Sequence, residues 1–247
     1  MAKSPSPYQL HVLDWRDCKR CDLSKTRQNV AIYRGKVPCD VLMVGEAPGD
    51  SEDVLGKPFK GPAGKLLDDI ISNSLSEETR VGITNAVGCI PYDEEGQKLP
   101  RPPKFAIEEC LPRLKQIVAI ANPRLIVSVG ETATKALWFV YRNPLVVPII
   151  HPAALLRMNT AQFGLEVQRA VIVIRDGWRK VQESKNASAE DQRKCINCEY
   201  EPAKDDGTTL AGDCCPDGDP HRYAGQSRWP TKWTQEQLLG DDSEIPL

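Results

Sequence analysis

Residues 41–71, VLMVGEAPGDSEDVLGKPFKGPAGKLLDDII, constrain the fold more than any other stretch of the chain. Val41 to Val44 form a short apolar run of the kind that makes a buried strand, and Gly45 ends it with a residue small enough for a ligand to approach the backbone. A carboxylate, Glu46, follows at the strand's carboxyl end, the edge at which open α/β sheets bind ligands. Phe59 stands between Pro58 and a second small-residue turn, Gly61-Pro62-Ala63-Gly64. That turn opens a helix whose first amides are placed to receive a phosphate. A strand, a glycine- and proline-broken loop and a helix in this order form half of a parallel βαβ unit.

The rest of the chain repeats the alternation. Residues 80–84 (RVGIT) read as a second strand delivering Asn85 and, four residues later, Cys89. The loop to Pro103 is rich in proline, glycine and charge and is expected to be exposed. Lys104 to Ala121 reads as a helix with apolar positions at Phe105, Ile107, Leu111, Leu114, Ile117 and Val118, and Cys110 near its start. Residues 123–129 form a third strand apolar enough to be buried on both faces, and Gly130 begins a helix through Tyr141. Residues 145–150 form a fourth strand, ending on His151-Pro152-Ala153-Ala154-Leu155-Leu156-Arg157, and a long helix over about 162–183 closes the unit. The expected fold is a three-layer α/β/α arrangement around a central four-stranded parallel sheet. Parallel strands bring their carboxyl ends to one edge. Glu46, Asn85 and His151, one distinctive polar residue per strand end, should therefore converge.

Charge and cysteine content narrow the function classes. Residues 1–183 hold 25 Lys and Arg against 21 Asp and Glu, whereas residues 184–247 hold 7 against 13. Only the first segment suits a polyanion. No apolar run reaches the roughly 18 residues of a membrane span, and the start, MAKSPSPYQLHVLDW, lacks an apolar signal core, so a cytoplasmic protein is expected. Nine cysteines in such a chain argue for metal or thiol chemistry over disulfides. Cys18 and Cys21 form a CxxC that suits one metal or a redox pair, while Cys39, with no neighbour at ligand spacing, reads as packing. Beyond about Ser184 the composition turns polar and acidic. There Cys195, Cys198, Cys214, Cys215 and His221 have the spacing of a small zinc ribbon or knuckle, and Trp229, Trp233 and the acidic end offer a surface for a protein partner. Two domains are expected, 1–183 and 184–247.

Gly45-Glu46-Ala47-Pro48-Gly49, Glu52-Asp53, Gly56, Pro58-Phe59, Gly61 and Ala63-Gly64 resemble the first motif of the family 4 uracil-DNA glycosylases. Residues 83–85 through Cys89 are similar to the second motif, and His151 to Arg157 match the third almost letter for letter. The resemblance covers roughly residues 10–183. It departs at Phe59-Lys60-Gly61, where the family has phenylalanine-valine-glycine, and in a short 135–150 segment. It implies a monomeric DNA-repair enzyme that flips uracil out of DNA and hydrolyses its glycosidic bond. In that reading Gly45, Glu46, Ala47, Phe59, Asn85 and His151 line the uracil site, and Glu46 and His151 are catalytic. Gly61, Gly64, Leu155, Leu156 and Arg157 face the DNA, with one of the two leucines as a wedge. It also implies a [4Fe-4S] cluster on Cys18, Cys21, Cys89 and Cys110; structural zinc on the same four is the alternative metal. The alternative function is a noncatalytic DNA-binding or adaptor module that keeps the fold.

Overall fold

The computed structural model describes residues 4–140 and 145–186. Internal packing divides the chain into Met1–Val181 and Gln182–Leu247. Cys195, Cys198, Cys214, Cys215, His221, Trp229 and Trp233 lie outside the described residues.

Helix α1 (Pro7–Trp15) starts where Ser6 and Gln9 cap each other's backbone amides and Pro7 fixes the first helical φ. A short α2 (Leu23–Thr26) leads to β1 (Arg34–Gly35) and β2 (Val41–Gly45). After β2 come α3 (Asp50–Leu55), α4 (Pro62–Ser74), β3 (Val81–Asn85), α5 (Lys104–Ala121) and β4 (Leu125–Val129). The unit closes with α6 (Glu131–Val140), β5 (Leu145–Ile149), α7 (Pro152–Leu155) and α8 (Thr160–Asn186).

The sheet has five strands in the order β1-β3-β2-β4-β5, one more than the four expected. The four parallel strands are those read from the sequence. The addition is β1, a two-residue edge strand antiparallel to β3. Two residues carry no hydrophobic period, so nothing in the sequence marked it. Gly35 makes it possible: its φ is 106°, and a Cβ there would collide with the carbonyl oxygen of Val81.

Alternate residues along the strands feed two cores, as a period of two requires. Leu42, Val44 and Ile126 pack with Leu114, Ile117 and Val118 of α5 and with Ala133, Ala136 and Leu137 of α6. Val41, Met43, Leu125 and Val127 pack on the other face with Leu67 and Ile70 of α4 and Ala170 and Ile174 of α8. Both β2 and β4 are buried along their whole length. Phe105, expected on the apolar face of α5, is 45% exposed, and Ala106 takes the buried position. No helix among the described residues is long and apolar enough to cross a membrane.

Candidate functional site

The carboxyl ends of the parallel strands meet as their order demands. Gly45 and Asn85 are direct partners across β2 and β3. Gly130, just after β4, donates its amide to the carbonyl of Ile149, two residues before His151, at 2.9 Å. A Cβ on Gly45 would come within 2.5 Å of Phe59 Cζ and closer still to Phe59 Cε2 and Asn85 Oδ1. Phe59 and His151 rings stack with centroids 5.7 Å apart and planes at 28°. Asn85, Gly45, Phe59 and His151 therefore cluster around one region at the carboxyl edge of the sheet, with Glu46 beside it.

The polar atoms around this region are unequally satisfied. Asn85 is buried, and its Oδ1 has no hydrogen-bond partner among the described residues. A buried orphan acceptor of this kind costs about 1–3 kcal/mol unless something else supplies a donor. His151 caps α7, and its Nδ1 accepts the amide of Ala153 at 3.1 Å. Burial, with help from the Arg157 charge and against the opposing pull of Glu52, lowers the His151 pKa to about 4. The ring is neutral at pH 7. With Nδ1 accepting, its proton sits on Nε2 as the one available donor.

The loop that presents Phe59 is clamped from within. Glu52, on α3, accepts the amides of Gly49 at 3.0 Å and of Lys60 and Gly61 at 2.8 Å each. Asp53 beside it accepts the amides of Gln28 and Asn29, tying the loop to the segment before β1. Phe59 sits at φ 54°, a left-handed conformation that costs a non-glycine residue about 1–3 kcal/mol and that the surroundings must impose. Gly64 leaves room for it: a Cβ there would overlap the Phe59 backbone.

Two expectations are corrected by this geometry. Gly61 and Gly64, placed among the DNA-facing groups from the sequence, are both buried. Their amides are spent inward, on Glu52 and on the Gly61 carbonyl at 3.0 Å, so neither offers an N–H to a phosphate. Leu155 is fully buried in the core, whereas its neighbour Leu156 is 49% exposed. Of the two leucines only Leu156 reaches the surface. Arg157, Lys57, Lys60 and Lys65 are exposed.

Three contributors went unread in the sequence. Thr132, in the first turn of α6, donates its hydroxyl to Glu46 Oε2 at 2.6 Å. Arg113, within α5, donates to the backbone carbonyls of Asn85 and Ala86. Glu52 stands in the sequence only as part of the first motif. A hydroxyl two residues after the glycine that ends a strand, as at Val129-Gly130-Glu131-Thr132, is a usable signal for the first; the other two have none.

The cysteines form a second feature. Cys89 and Cys110 are buried, and Cys18 and Cys21 partly so. Cys89 and Cys110 are buried in one core cluster with Cys21 packed against it, and Cys18 lies three residues before Cys21, so thiols from three separate segments occupy one neighbourhood. Burial is the main cause pushing the Cys89 thiol up to about 12, and the Arg27 guanidinium opposes it. Arg27 also donates to the carbonyls of Cys18 at 2.5 Å and Ser24 at 3.2 Å. Among the described residues no three His, Cys, Asp or Glu side chains form a set for a single ion. Cys39 is buried as packing, as expected.

A family model described as the uracil DNA glycosylase superfamily matches residues 33–173. The chain is 39% identical over 122 residues to the type-4 uracil-DNA glycosylase of Pyrobaculum aerophilum, covering 49% of this chain and 60% of that protein. It is 31% identical over 192 residues to the one from Saccharolobus solfataricus, covering 68% of this chain and 82% of that protein. A third, from Thermotoga maritima, is 33% identical over 157 residues, covering 58% and 79%.

Proposed function

The chain belongs to the uracil DNA glycosylase superfamily, and we propose that the space between Phe59, Asn85 and His151 takes a uracil flipped out of DNA and releases it by hydrolysis of the N-glycosidic bond. The observation that carries this reading is the unpartnered, buried Oδ1 of Asn85 beside the Phe59 ring. Uracil supplies what is missing. Its N3–H donates to Oδ1, its O4 accepts from the Asn85 amide NH2, and its face stacks on Phe59. Cytosine presents an acceptor and a donor at those two atoms, the reverse pattern, and would leave buried groups mismatched.

Bond cleavage leaves negative charge on the base and positive charge on the sugar. The neutral His151 ring can donate only through Nε2–H, which suits uracil O2 as charge builds there. Glu46, held by Thr132, orients or deprotonates the attacking water and favours the sugar cation. Unstacking the nucleotide costs a few kcal/mol. Leu156 fills the vacated space, and Arg157 and the exposed lysines hold the phosphates.

Cys18, Cys21, Cys89 and Cys110 fit an iron–sulfur cluster. They are four thiols drawn from three segments into one partly buried neighbourhood with a cation, Arg27, beside them. In a four-iron cluster each thiolate binds its own iron, so the set need not close around a single ion. When bound, such a cluster supplies a covalent staple between the amino-terminal segment, the residues after β3 and α5. The 1–183 unit acts on DNA as a monomer. For the acidic 184–247 segment the proposal rests on sequence alone: the spacing of Cys195, Cys198, Cys214, Cys215 and His221 suits zinc, and the acidic end suits a protein partner.

The test is incubation of purified protein with uracil-containing single- and double-stranded oligonucleotides, followed by alkali. Strand breaks at the uracil positions are expected, together with a brown protein containing iron and sulfide that Cys89→Ala bleaches. A protein that binds the oligonucleotides but leaves no alkali-labile sites would refute the enzyme and point to the adaptor function. A colourless protein holding zinc on these cysteines would refute the cluster.

A further inference from the structure

Arg113 is 1% exposed, among the largest fully buried side chains of the protein. It lies one helical turn beyond Cys110 on α5. Its Nη2 donates to the carbonyl of Asn85 and, at 3.2 Å, to that of Ala86, while Nη1 reaches Thr84 Oγ1 at 3.3 Å. Thr84 in turn donates to the Ile32 carbonyl at 2.8 Å. One planar guanidinium thus grips three consecutive residues, the middle one being the proposed reader of the base. The same stretch forms one side of the pocket, since the amides of Ala86 and Val87 bond to the carbonyls of Gly45 and Glu46 at 2.8 and 2.9 Å.

What this cation lacks is a counter-charge. Among the described residues no carboxylate forms an ion pair with Arg113, and its Nε has no partner. A fully buried guanidinium held only by neutral acceptors is costly. The cysteine site lies against it. A Cβ on Gly88, the residue before Cys89, would stand 3.2 Å from Arg113 Nε, and Cys89 and Cys110 are buried in one core cluster; thiolates ligating a cluster would bring a net negative charge to that position. Cys89 also lies only four residues beyond Asn85, on the chain that Arg113 holds.

We propose that Arg113 is a positioning residue that makes the base-reading geometry of Asn85 depend on occupancy of the four-cysteine site. It rests on the cluster and the uracil pocket proposed above. With the site filled, the cluster's charge compensates the guanidinium, which can then stay buried and hold the 84–86 carbonyls. With it empty, the guanidinium is drawn toward water and the grip on Asn85 loosens. The cysteine site would then control which base is accepted, and not only whether the protein holds together.

The experiment compares the full-length wild type with Arg113→Lys, each iron-loaded and iron-stripped. It reads amide hydrogen exchange at residues 84–87 and binding to DNA carrying a non-hydrolysable 2′-fluorinated deoxyuridine or its thymidine counterpart. Lysine keeps the charge but cannot fork across two carbonyls and a hydroxyl. In the wild type, iron removal should speed exchange at Ala86 and Val87 about tenfold or more and cut the preference for uracil over thymine about tenfold. Iron-loaded Arg113→Lys should hold wild-type iron, show KM raised about tenfold with kcat within about threefold, and lose less than about threefold more preference when stripped, as coupled sites do. Wild-type exchange at 84–87 untouched by iron removal, or rising equally throughout β4 and β5, would overturn the proposal. So would an Arg113→Lys protein with wild-type KM and base preference. Should that variant not fold, the wild-type exchange and binding comparison decides alone. Absence of any uracil preference in the iron-loaded wild type would overturn the functional reading instead, while the exchange data would still report whether the two regions are coupled.

Discussion

Replacing Gly45 by alanine adds one methyl group where the β2 backbone lies against Phe59 and Asn85. The new Cβ would stand 2.5 Å from Phe59 Cζ and closer to Phe59 Cε2 and Asn85 Oδ1, against the roughly 3.5–4.0 Å at which carbon atoms rest. Something must move by about 1 Å, and neither neighbour is free to do so. Phe59 is locked in a left-handed conformation with α4 directly behind it at Gly64, and the strand end carrying Asn85 is held by Arg113. Overpacking of this kind costs about 1–3 kcal/mol of stability, which at about 2–4 °C per kcal/mol for a unit of this size lowers Tm by roughly 2–12 °C. The larger effect is on chemistry, because a 1 Å misplacement of the groups that orient a substrate costs about a hundredfold in rate. Uracil release from a single-stranded oligonucleotide should therefore fall about a hundredfold or more in kcat/KM. Affinity for undamaged DNA, which depends on phosphate contacts outside the pocket, should stay within about twofold by fluorescence anisotropy. A Gly45→Ala protein with wild-type kcat/KM would refute the assignment of this space to the base.

The neutral state of His151 is open to direct observation by NMR. Its ring carbons should show no titration between pH 8 and 5, and a midpoint near 6.5 would contradict burial as the controlling influence. Because the folded pKa of about 4 lies below the unfolded 6.5, the unfolded chain takes up a proton first as pH falls. His151 therefore withdraws up to about 3 kcal/mol of stability between pH 6.5 and 4, and none above that window. Thr132→Val removes the hydroxyl donor to Glu46 and should lower kcat about tenfold with little change in KM, whereas Thr132→Ser should retain most of the rate; equal rates for both variants would remove Thr132 from the mechanism. The two leucines should separate cleanly. Leu156→Ala should weaken excision from duplex more than from single strands, while Leu155→Ala should cost about 2–5 kcal/mol of stability with no strand dependence. The opposite pattern would reverse their assignment.

Most of the fold was legible because it depends on periodicity. The span of α5 matches its apolar pattern at both ends, and each parallel strand falls within two residues of its expected bounds. The elements that escaped are those too short to carry a period, namely β1, α2, α3 and α7. Of these, α7 had a consequence. Leu155 and Leu156 are adjacent on a four-residue helix, and only packing tells which one turns inward. The amides of Gly61 and Gly64 were misread for a related reason. A glycine-rich helix start resembles an anion site, and nothing in its own residues reveals that a carboxylate nine positions earlier, Glu52, already occupies the Gly61 amide.

The site divides along the same physical line. Gly45, Glu46, Phe59, Asn85 and His151 were legible because each sits at a strand end or in the first motif, where topology alone brings it to the sheet's carboxyl edge. The residues that hold them were not, because their roles exist only through partners distant in sequence. Thr132 lies 86 positions from Glu46, and Arg113 lies 28 from Asn85. A threonine at a helix start and an arginine in mid-helix are ordinary residues until the fold shows what they touch. Arg113 breaks the apolar pattern of a buried helix face, with Leu114, Ile117 and Val118 around it. A charged residue at a core position conflicts with the local rule, and such conflicts are found where function imposes them. Here the conflict falls where α5 carries a cysteine on one turn and grips the strand end carrying Asn85 on the next.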